Sequence, residues 1–223
     1  MNRGYCRKAM YGLAGGLVFG LFALAGLAQP AAGPPTSFPR IPPVEPRKAL
    51  DGRALVEALR GGGFVLFFRH AETGTISETC ESSNLTEPGR RDARRIGEAL
   101  KQLKIPFDRA ISSPVCRSFE TAQLIDVAKV EKNDDLQRTP LRPDHRLHEG
   151  RAKLLGEAPA KGTNRLLSGH MQHGEKPEHR LYLDMAEAVI FKPRGDGQVD
   201  VVARVRAHEW QGLIAQMNAP PGK

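Results

Sequence analysis

The chain has 223 residues, which is enough for one domain with a sizeable core but too few for a comfortable fit to two. It carries 33 Lys and Arg against 25 Asp and Glu, a formal net charge of +8. A basic balance is typical of nucleic-acid binders, but here the basic residues are scattered and aromatic residues make up only 6% of the chain. The composition therefore predicts no nucleic-acid partner and favours a locally positive pocket for a small anion.

Residues 1–28 have the pattern of a secretory signal peptide. Three basic residues lie near the start, an uncharged apolar run fills residues 9–28, and small residues precede an expected cleavage after Ala28. An uncleaved anchor is the alternative, because about 20 apolar residues can just span a bilayer. The Gly- and Ala-rich run favours cleavage, which predicts a periplasmic or secreted protein with no stable membrane insertion.

Residues 29–46 hold seven prolines and are typical of an extended linker. The folded domain is therefore predicted to occupy residues 47–223. Cleavage would remove three of the 33 basic residues and no acidic one, so the mature chain would carry 30 minus 25, or +5.

Helix signals alternate with strand signals along the predicted domain. Asp51 is placed to cap a short helix whose Leu55 and Leu59 share a face, and three glycines end it before the first strand. Thr86 is placed to cap a second, longer helix. Ser113 and Pro114 are expected to open a third helix, and a final helix is expected over residues 207–216.

Three short apolar segments are predicted to form parallel strands, and two more an antiparallel hairpin. The strands are residues 64–69, 109–112 and 165–168, and the hairpin joins residues 187–192 to 198–206. This alternation predicts an α/β fold, a doubly wound and mostly parallel sheet with an antiparallel edge hairpin and helices on both faces.

Cationic side chains follow all three predicted parallel strands. The first ends at Arg69 and His70, the second leads to Arg117 in the first turn of the next helix, and the third ends at His170. Ligands of open α/β sheets bind outside the carboxyl ends of the strands, so these side chains are expected to converge. Two guanidinium forks and two imidazoles suit a tetrahedral phosphate.

Four segments resemble, in order, the successive motifs of the histidine phosphatase superfamily, the phosphoglycerate-mutase-like or RHG proteins. They are RHAET (69–73), NLTEPGRRDARRIGEAL (84–100), SSPVCRSFETA (112–122) and SGH (168–170). The similarity spans roughly residues 47–218. Two departures are Ala71, where Gly is commoner, and the segment MQHGEKPEHR after His170, which leaves the rim of the pocket undefined.

The resemblance implies a phosphoric monoester hydrolase that needs no metal or other cofactor. His70 would be the nucleophile, while Arg69, Arg117 and His170 would hold the phosphoryl group. The proton donor of the family often lies in an L-x-E segment after the third motif, which Glu149 matches. Asp144 lies close by and is the alternative donor.

Each implied role has a physical reason. A neutral imidazole can attack phosphorus in line, so that one difficult displacement becomes two easier ones through a phosphohistidine. The arginines and a protonated His170 would stabilise charge on the equatorial oxygens. A protonated carboxyl group would donate to the leaving alkoxide and then accept a proton from water.

Four further residues border these motifs. Thr73 and Asn84 are candidates for lining the pocket, with a turn or cap role as the alternative. Glu72 and Glu120 are expected to form ion pairs that order the site rather than to take part in the chemistry.

Two alternative functions remain open. The pairs His145/His148 and His170/His173 suggest a metal-binding module, because imidazole pairs suit zinc or copper, although the nearby arginines argue against a cation. A catalytically silent anion-binding protein on the same fold is the second alternative. Among the activities of the family, export disfavours a glycolytic mutase and favours a phosphatase for a small or envelope-associated phosphorylated substrate.

The cysteines suggest a disulfide near the predicted site. Cys6 would leave with the signal, so the mature chain would keep Cys80 and Cys116 in a compartment that favours disulfides. Both lie beside strand ends that carry the predicted site residues, which predicts a bridge between them. Two unpaired thiols are the alternative.

Overall fold

The computed structural model describes residues 49–74, 84–137, 145–171, 182–195 and 198–220, and the side chains of all of these except 145–148. All of them belong to one unit, Pro34–Lys223, and none to the separate unit Met1–Gly33. The predicted signal peptide and linker lie outside the described residues, so both stay predictions.

Five α-helices and six strands make up the described part of the chain. The helices are α1 (Gly52–Gly61), α2 (Glu87–Gln102), α3 (Cys116–Ile125), α4 (His145–Gly156) and α5 (Glu209–Asn218), and a 3-10 helix spans Asp134–Leu136. The strands are β1 (Val65–Arg69), β2 (Phe107–Ser112), β3 (Val130–Lys132), β4 (Asn164–Gly169), β5 (Ala188–Pro193) and β6 (Val199–Val205).

The six strands form one mixed sheet in the order β3-β2-β4-β1-β5-β6. β1, β2, β3 and β4 run parallel, whereas β5 pairs antiparallel with β1 and β6 antiparallel with β5. The predicted α/β fold with a mostly parallel sheet and an antiparallel edge hairpin is confirmed. The three strands predicted to carry site residues, β1, β4 and β2, lie side by side.

Both faces of the sheet are covered, which explains why β1 is apolar from Val65 to Phe68 rather than alternating. Leu66 and Phe68 point into a core formed with α1, α2, α3 and α5, and Phe68 stacks on Trp210 at a centroid distance of 6.1 Å. Val65 and Phe67 point into a second core that includes Leu154 and Leu155 of α4. This two-sided packing fixes the carboxyl end of β1.

One predicted cap and two predicted helix starts differ from the structure. One of these starts is that of the final helix, which was predicted over residues 207–216 and spans Glu209–Asn218. Thr86 caps α2 as predicted, and its hydroxyl accepts a hydrogen bond from the Gly89 N–H at 3.1 Å. Asp51 precedes α1 in an extended conformation, but its side chain makes no cap hydrogen bond. The third helix begins at Cys116 rather than at Ser113, because the Ser113–Val115 turn bends the chain before the helix starts.

Three secondary-structure elements within residues 126–163 were not predicted from the sequence. They are β3, the 3-10 helix and α4. β3 has only three residues, two of them charged, and it forms by pairing with β2. Among the described helices, none is long and apolar enough to cross a membrane.

Candidate active site

The pairing of β1, β4 and β2 brings the predicted strand ends to one edge of the sheet. Arg69 is in register with Gly169, and Ser112 with Ser168. Beyond the strands, the His70 N–H donates to the Gly169 carbonyl at 3.0 Å. The residues that follow the three strands are therefore neighbours, as the sequence predicted.

Three of the four predicted cationic side chains form a buried cluster. His70, Arg117 and His170 are only 5%, 6% and 3% exposed. The two imidazole rings meet edge to face with centroids 5.4 Å apart, and Arg117 Nη2 lies 3.3 Å from His170 Nδ1. Titratable groups gathered at the carboxyl ends of parallel strands in an α/β sheet are typical of a functional site.

His70 is oriented by the backbone beside it. Its Nδ1 lies 2.9 Å from the Ala71 carbonyl oxygen, which can only accept a hydrogen bond. The neutral ring therefore carries its proton on Nδ1 and its lone pair on Nε2. This tautomer leaves Nε2 as the nitrogen able to attack phosphorus.

His170 is held in the opposite tautomer. A guanidinium has only donors, so the contact with Arg117 requires His170 Nδ1 to accept. The ring proton then sits on Nε2, which lies 3.1 Å from Ser113 Oγ and 3.4 Å from Ser118 Oγ. The cationic form of His170 stays a prediction for the anion-bound protein.

Buried hydroxyl groups connect α3 to the strand ends, and the sequence prediction missed them. Thr121 Oγ1 donates to the Arg117 carbonyl at 2.7 Å and accepts from the Ala71 N–H at 2.9 Å. Ser118 Oγ donates to the Gly169 carbonyl at 3.2 Å. The signal was present, because Arg117 and Thr121 stand four residues apart and so share one face of a helix.

Arg69 differs from the other three because it is only partly buried. Its Nη1 donates to the Leu183 carbonyl at 2.6 Å. Burial lowers the pKa of Arg69, and the negative charge of Asp184 opposes that shift. Arg69 also lines a cavity of about 700 Å³, whose walls are Arg69, Met171, Tyr182, Leu183, Asp184, Glu187, Arg204, Arg206 and Glu209.

Glu149 is exposed near the start of α4 and forms no hydrogen bond or ion pair with another described residue. Asp144 lies outside the described residues. The identity of the proton donor therefore stays a prediction.

The residues that border the motifs have mostly structural contacts. Thr73 forms an isolated antiparallel β-bridge with Leu85, and Asn84 beside it is half-buried. That Thr73 and Asn84 line the pocket stays a prediction. Glu120 forms the expected ion pair, with Arg90 at 2.7 Å. Glu72 instead accepts a hydrogen bond from the Thr86 hydroxyl at 2.8 Å.

Within the described residues, no group of three or more His, Cys, Asp or Glu side chains is arranged to hold a metal ion. The side chains of His145, His148 and His173 lie outside those residues. Of the two predicted histidine pairs, only the His170 side chain is described, and its ring contacts an arginine and two serines.

Sequence comparison assigns the family. The model of the histidine phosphatase superfamily (branch 1) matches residues 65–179, just over half of the 223-residue chain. The chain belongs to the histidine phosphatase superfamily. Members of this superfamily are phosphatases and mutases, which agrees with the implied phosphoryl chemistry.

Curated relatives match shorter parts of the chain. The serine/threonine-protein phosphatase Pgam5 of Drosophila mojavensis is 38% identical over 61 residues, which are 27% of this chain and 21% of the relative. A 2,3-bisphosphoglycerate-dependent phosphoglycerate mutase of Thermoplasma acidophilum is 31% identical over 111 residues, 48% of this chain and 51% of the relative. The chain thus matches only a fifth to a half of the length of these relatives.

A solved structure of the protein histidine phosphatase SixA complexed with tungstate shares the fold. It is 16% identical, with a TM-score of 0.50, and the match covers 66% of this chain and 98% of that one.

Proposed function

We propose that this protein is a phosphomonoester hydrolase that acts through a phosphohistidine intermediate at His70. The observation that carries the proposal is the buried cluster of His70, Arg117 and His170 at the carboxyl ends of β1 and β4. The tautomer of His70 has a lone pair on Nε2 that can attack phosphorus. The guanidinium of Arg117, beside His170, supplies hydrogen-bond donors for the phosphoryl oxygens.

The reaction has two displacements. Nε2 of His70 attacks phosphorus, the phosphorus–oxygen bond of the ester breaks, and the leaving alkoxide takes a proton from Glu149 or Asp144. Water then attacks the phosphohistidine, gives its proton to the same carboxylate, and releases inorganic phosphate. Arg69, Arg117 and His170 bind the equatorial oxygens and neutralise charge in both steps.

The substrate is a small or envelope-associated phosphate ester. Of the four proposed phosphate-site residues, Arg69 is among the residues that line the cavity of about 700 Å³, a volume within the range that holds small ligands. The apolar N-terminal segment supports export to the periplasm or beyond, where glycolytic intermediates are absent, so hydrolysis is favoured over mutase activity. The relatives include a protein phosphatase and a mutase, so they support phosphoryl transfer but do not indicate which substrate is used.

A panel of phosphate esters tests the activity. The purified protein should release inorganic phosphate from at least one ester without added metal. Binding of tungstate or phosphate with no turnover on any ester would favour the silent anion-binding alternative. Stoichiometric zinc or copper in the purified protein would instead favour the metal-binding alternative.

The proton donor can be identified from leaving-group dependence. We expect Glu149→Gln to lower kcat strongly on alkyl phosphates and only slightly on nitrophenyl phosphate, because general-acid help matters least for a good leaving group. The measurement is kcat for both substrate types in the wild type and the variant. Equal losses on both would remove Glu149 from this role and make Asp144→Asn the next variant to test.

We further propose that a disulfide joins Cys80 to Cys116. Cys116 opens α3 one residue before Arg117, and it is disulfide-bonded. Its partner lies outside the described residues, and Cys80 is the proposed one because Cys6 would leave with the signal. The bridge would tie the segment after His70 to the helix that carries Arg117.

Closing a loop of about 36 residues should stabilise the protein by roughly 3 to 4 kcal/mol on the chain-entropy model. Non-reducing peptide mapping of protein from the oxidising compartment should recover the two cysteine peptides joined. A free thiol at Cys80 would contradict the pairing.

A further inference from the structure

The segment 182–187 runs beside the end of β1 and contacts both predicted site residues there. The Arg69 N–H donates to the Glu187 carbonyl at 3.0 Å, and the Ala186 N–H donates to the His70 carbonyl at 3.1 Å. The Leu183 carbonyl accepts the 2.6 Å hydrogen bond from Arg69 Nη1. The conformation of this segment therefore decides where the Arg69 guanidinium lies.

An ion pair between the buried Glu187 and the exposed Arg204 holds the segment in place. Glu187 is 3% exposed, and its two carboxylate oxygens accept from Arg204 Nε at 2.9 Å and Arg204 Nη2 at 3.0 Å. The same Arg204 Nη2 donates to the Tyr182 carbonyl at 2.6 Å, and the Asp184 N–H donates to Glu187 Oε2 at 2.7 Å. One carboxylate and one guanidinium thus fix the segment at its first, third and last residues.

The segment needs this support because its backbone is strained. Ala186 has a φ of +57°, in the left-handed region that is unfavourable for a non-glycine residue. Such a conformation persists only where surrounding contacts impose it.

Arg69 depends on the segment for its own position. Its Nε is buried without a hydrogen-bond partner among the described residues, so the bond to the Leu183 carbonyl is the anchor that orients the guanidinium. A shift of that carbonyl would turn the fork of Arg69 away from its present direction.

We propose that Glu187 and Arg204 are positioning residues, which hold the segment 182–187 so that the Leu183 carbonyl aims Arg69 at the phosphoryl group. The inference rests on the proposed function, since it assumes that Arg69 binds phosphate. Neither residue touches the phosphoryl group in this role. Their effect on phosphate binding passes through Arg69.

A double-mutant cycle tests this coupling, with inorganic phosphate as the probe and the dissociation constant as the readout. Arg69→Gln should weaken phosphate binding about 10- to 100-fold, because it removes a charge-assisted contact. Glu187→Gln should weaken binding about five- to tenfold in the wild type and have almost no effect in the Arg69→Gln background, since residues that act as a unit are not additive.

The matched control lies at the other end of the same hairpin. Arg194 pairs with Asp200 there and is exposed, so Arg194→Gln removes one charged partner without touching the segment 182–187. It should leave phosphate affinity unchanged. If Glu187→Gln does not fold, Arg204→Lys replaces it in the cycle, because lysine keeps the charge but loses the two-pronged contact.

The outcomes separate this inference from the proposed function. Equal weakening by Glu187→Gln in both backgrounds, or no weakening while Arg69→Gln still weakens binding, would overturn the positioning role and leave the phosphatase proposal intact. An Arg69→Gln variant that binds phosphate normally would overturn both the positioning role and the assignment of Arg69 to the phosphate site.

Discussion

His70→Ala should abolish turnover and remove the phosphoenzyme. Covalent catalysis through His70 Nε2 supplies several orders of magnitude in rate, so the variant should fall at least a thousandfold, which is about 4 kcal/mol of barrier. The wild type, quenched in mid-turnover with ³²P-labelled substrate, should carry an acid-labile phosphoryl group that the variant lacks.

The matched control is His208→Ala. His208 is exposed at the start of α5, so the same replacement there should leave activity and labelling unchanged. Thermal unfolding of both variants checks that the fold survives. A folded His70→Ala protein that keeps more than about a tenth of the wild-type activity would exclude His70 as the nucleophile.

Local sequence signals predicted the elements that build the site. β1 is buried on both faces, so its four apolar residues stand in an unbroken run, and the polar side chains from Arg69 onward had to lie at the edge of the sheet. The hairpin of β5 and β6 follows from two strand-like segments around a Gly-containing turn. These signals predicted that the side chains following β1, β2 and β4 would lie close together, because parallel strands end at a common edge of the sheet.

Elements stabilised mainly by tertiary contacts were not predictable in the same way. β3 has the sequence Val-Glu-Lys, with no hydrophobic pattern of its own, and it exists because β2 offers an unpaired edge. α4 buries Leu154 and Leu155 against the second face of the sheet, and two adjacent leucines do not define a helical period.

The contacts that orient the site are the least visible in the sequence. The Leu183 carbonyl that binds Arg69 lies 114 residues further along the chain, and any residue could supply that carbonyl. Glu187 and Arg204 are only 17 residues apart, but nothing in that spacing predicts that they form an ion pair or that Glu187 is buried. Such contacts depend on how the hairpin packs against β1.

Arg117→Ala should cause the second largest fall in kcat, because Arg117 is buried in the cluster and its guanidinium N–H groups are the hydrogen-bond donors there. Its Nη2 lies 3.3 Å from His170 Nδ1, so the guanidinium and the second imidazole occupy one wall of the site. Losing one preorganised donor group to the oxyanion typically costs about 10²- to 10³-fold in kcat. We expect a fall of that size for nitrophenyl phosphate as well as for alkyl phosphates, since charge on the equatorial oxygens does not depend on the leaving group.

Arg117→Lys distinguishes charge from geometry. Lysine keeps the positive charge but cannot present two parallel donors. Arg117→Lys should therefore recover only part of the activity that Arg117→Ala loses, and the recovery should be seen mainly in KM. Arg109→Ala is the matched control, because Arg109 is an exposed arginine that pairs with Glu131, and its removal should change neither kcat nor KM. Full activity in Arg117→Lys would show that a point charge is enough and that the fork is not used. Normal activity in a folded Arg117→Ala protein would place the phosphoryl group away from Arg117.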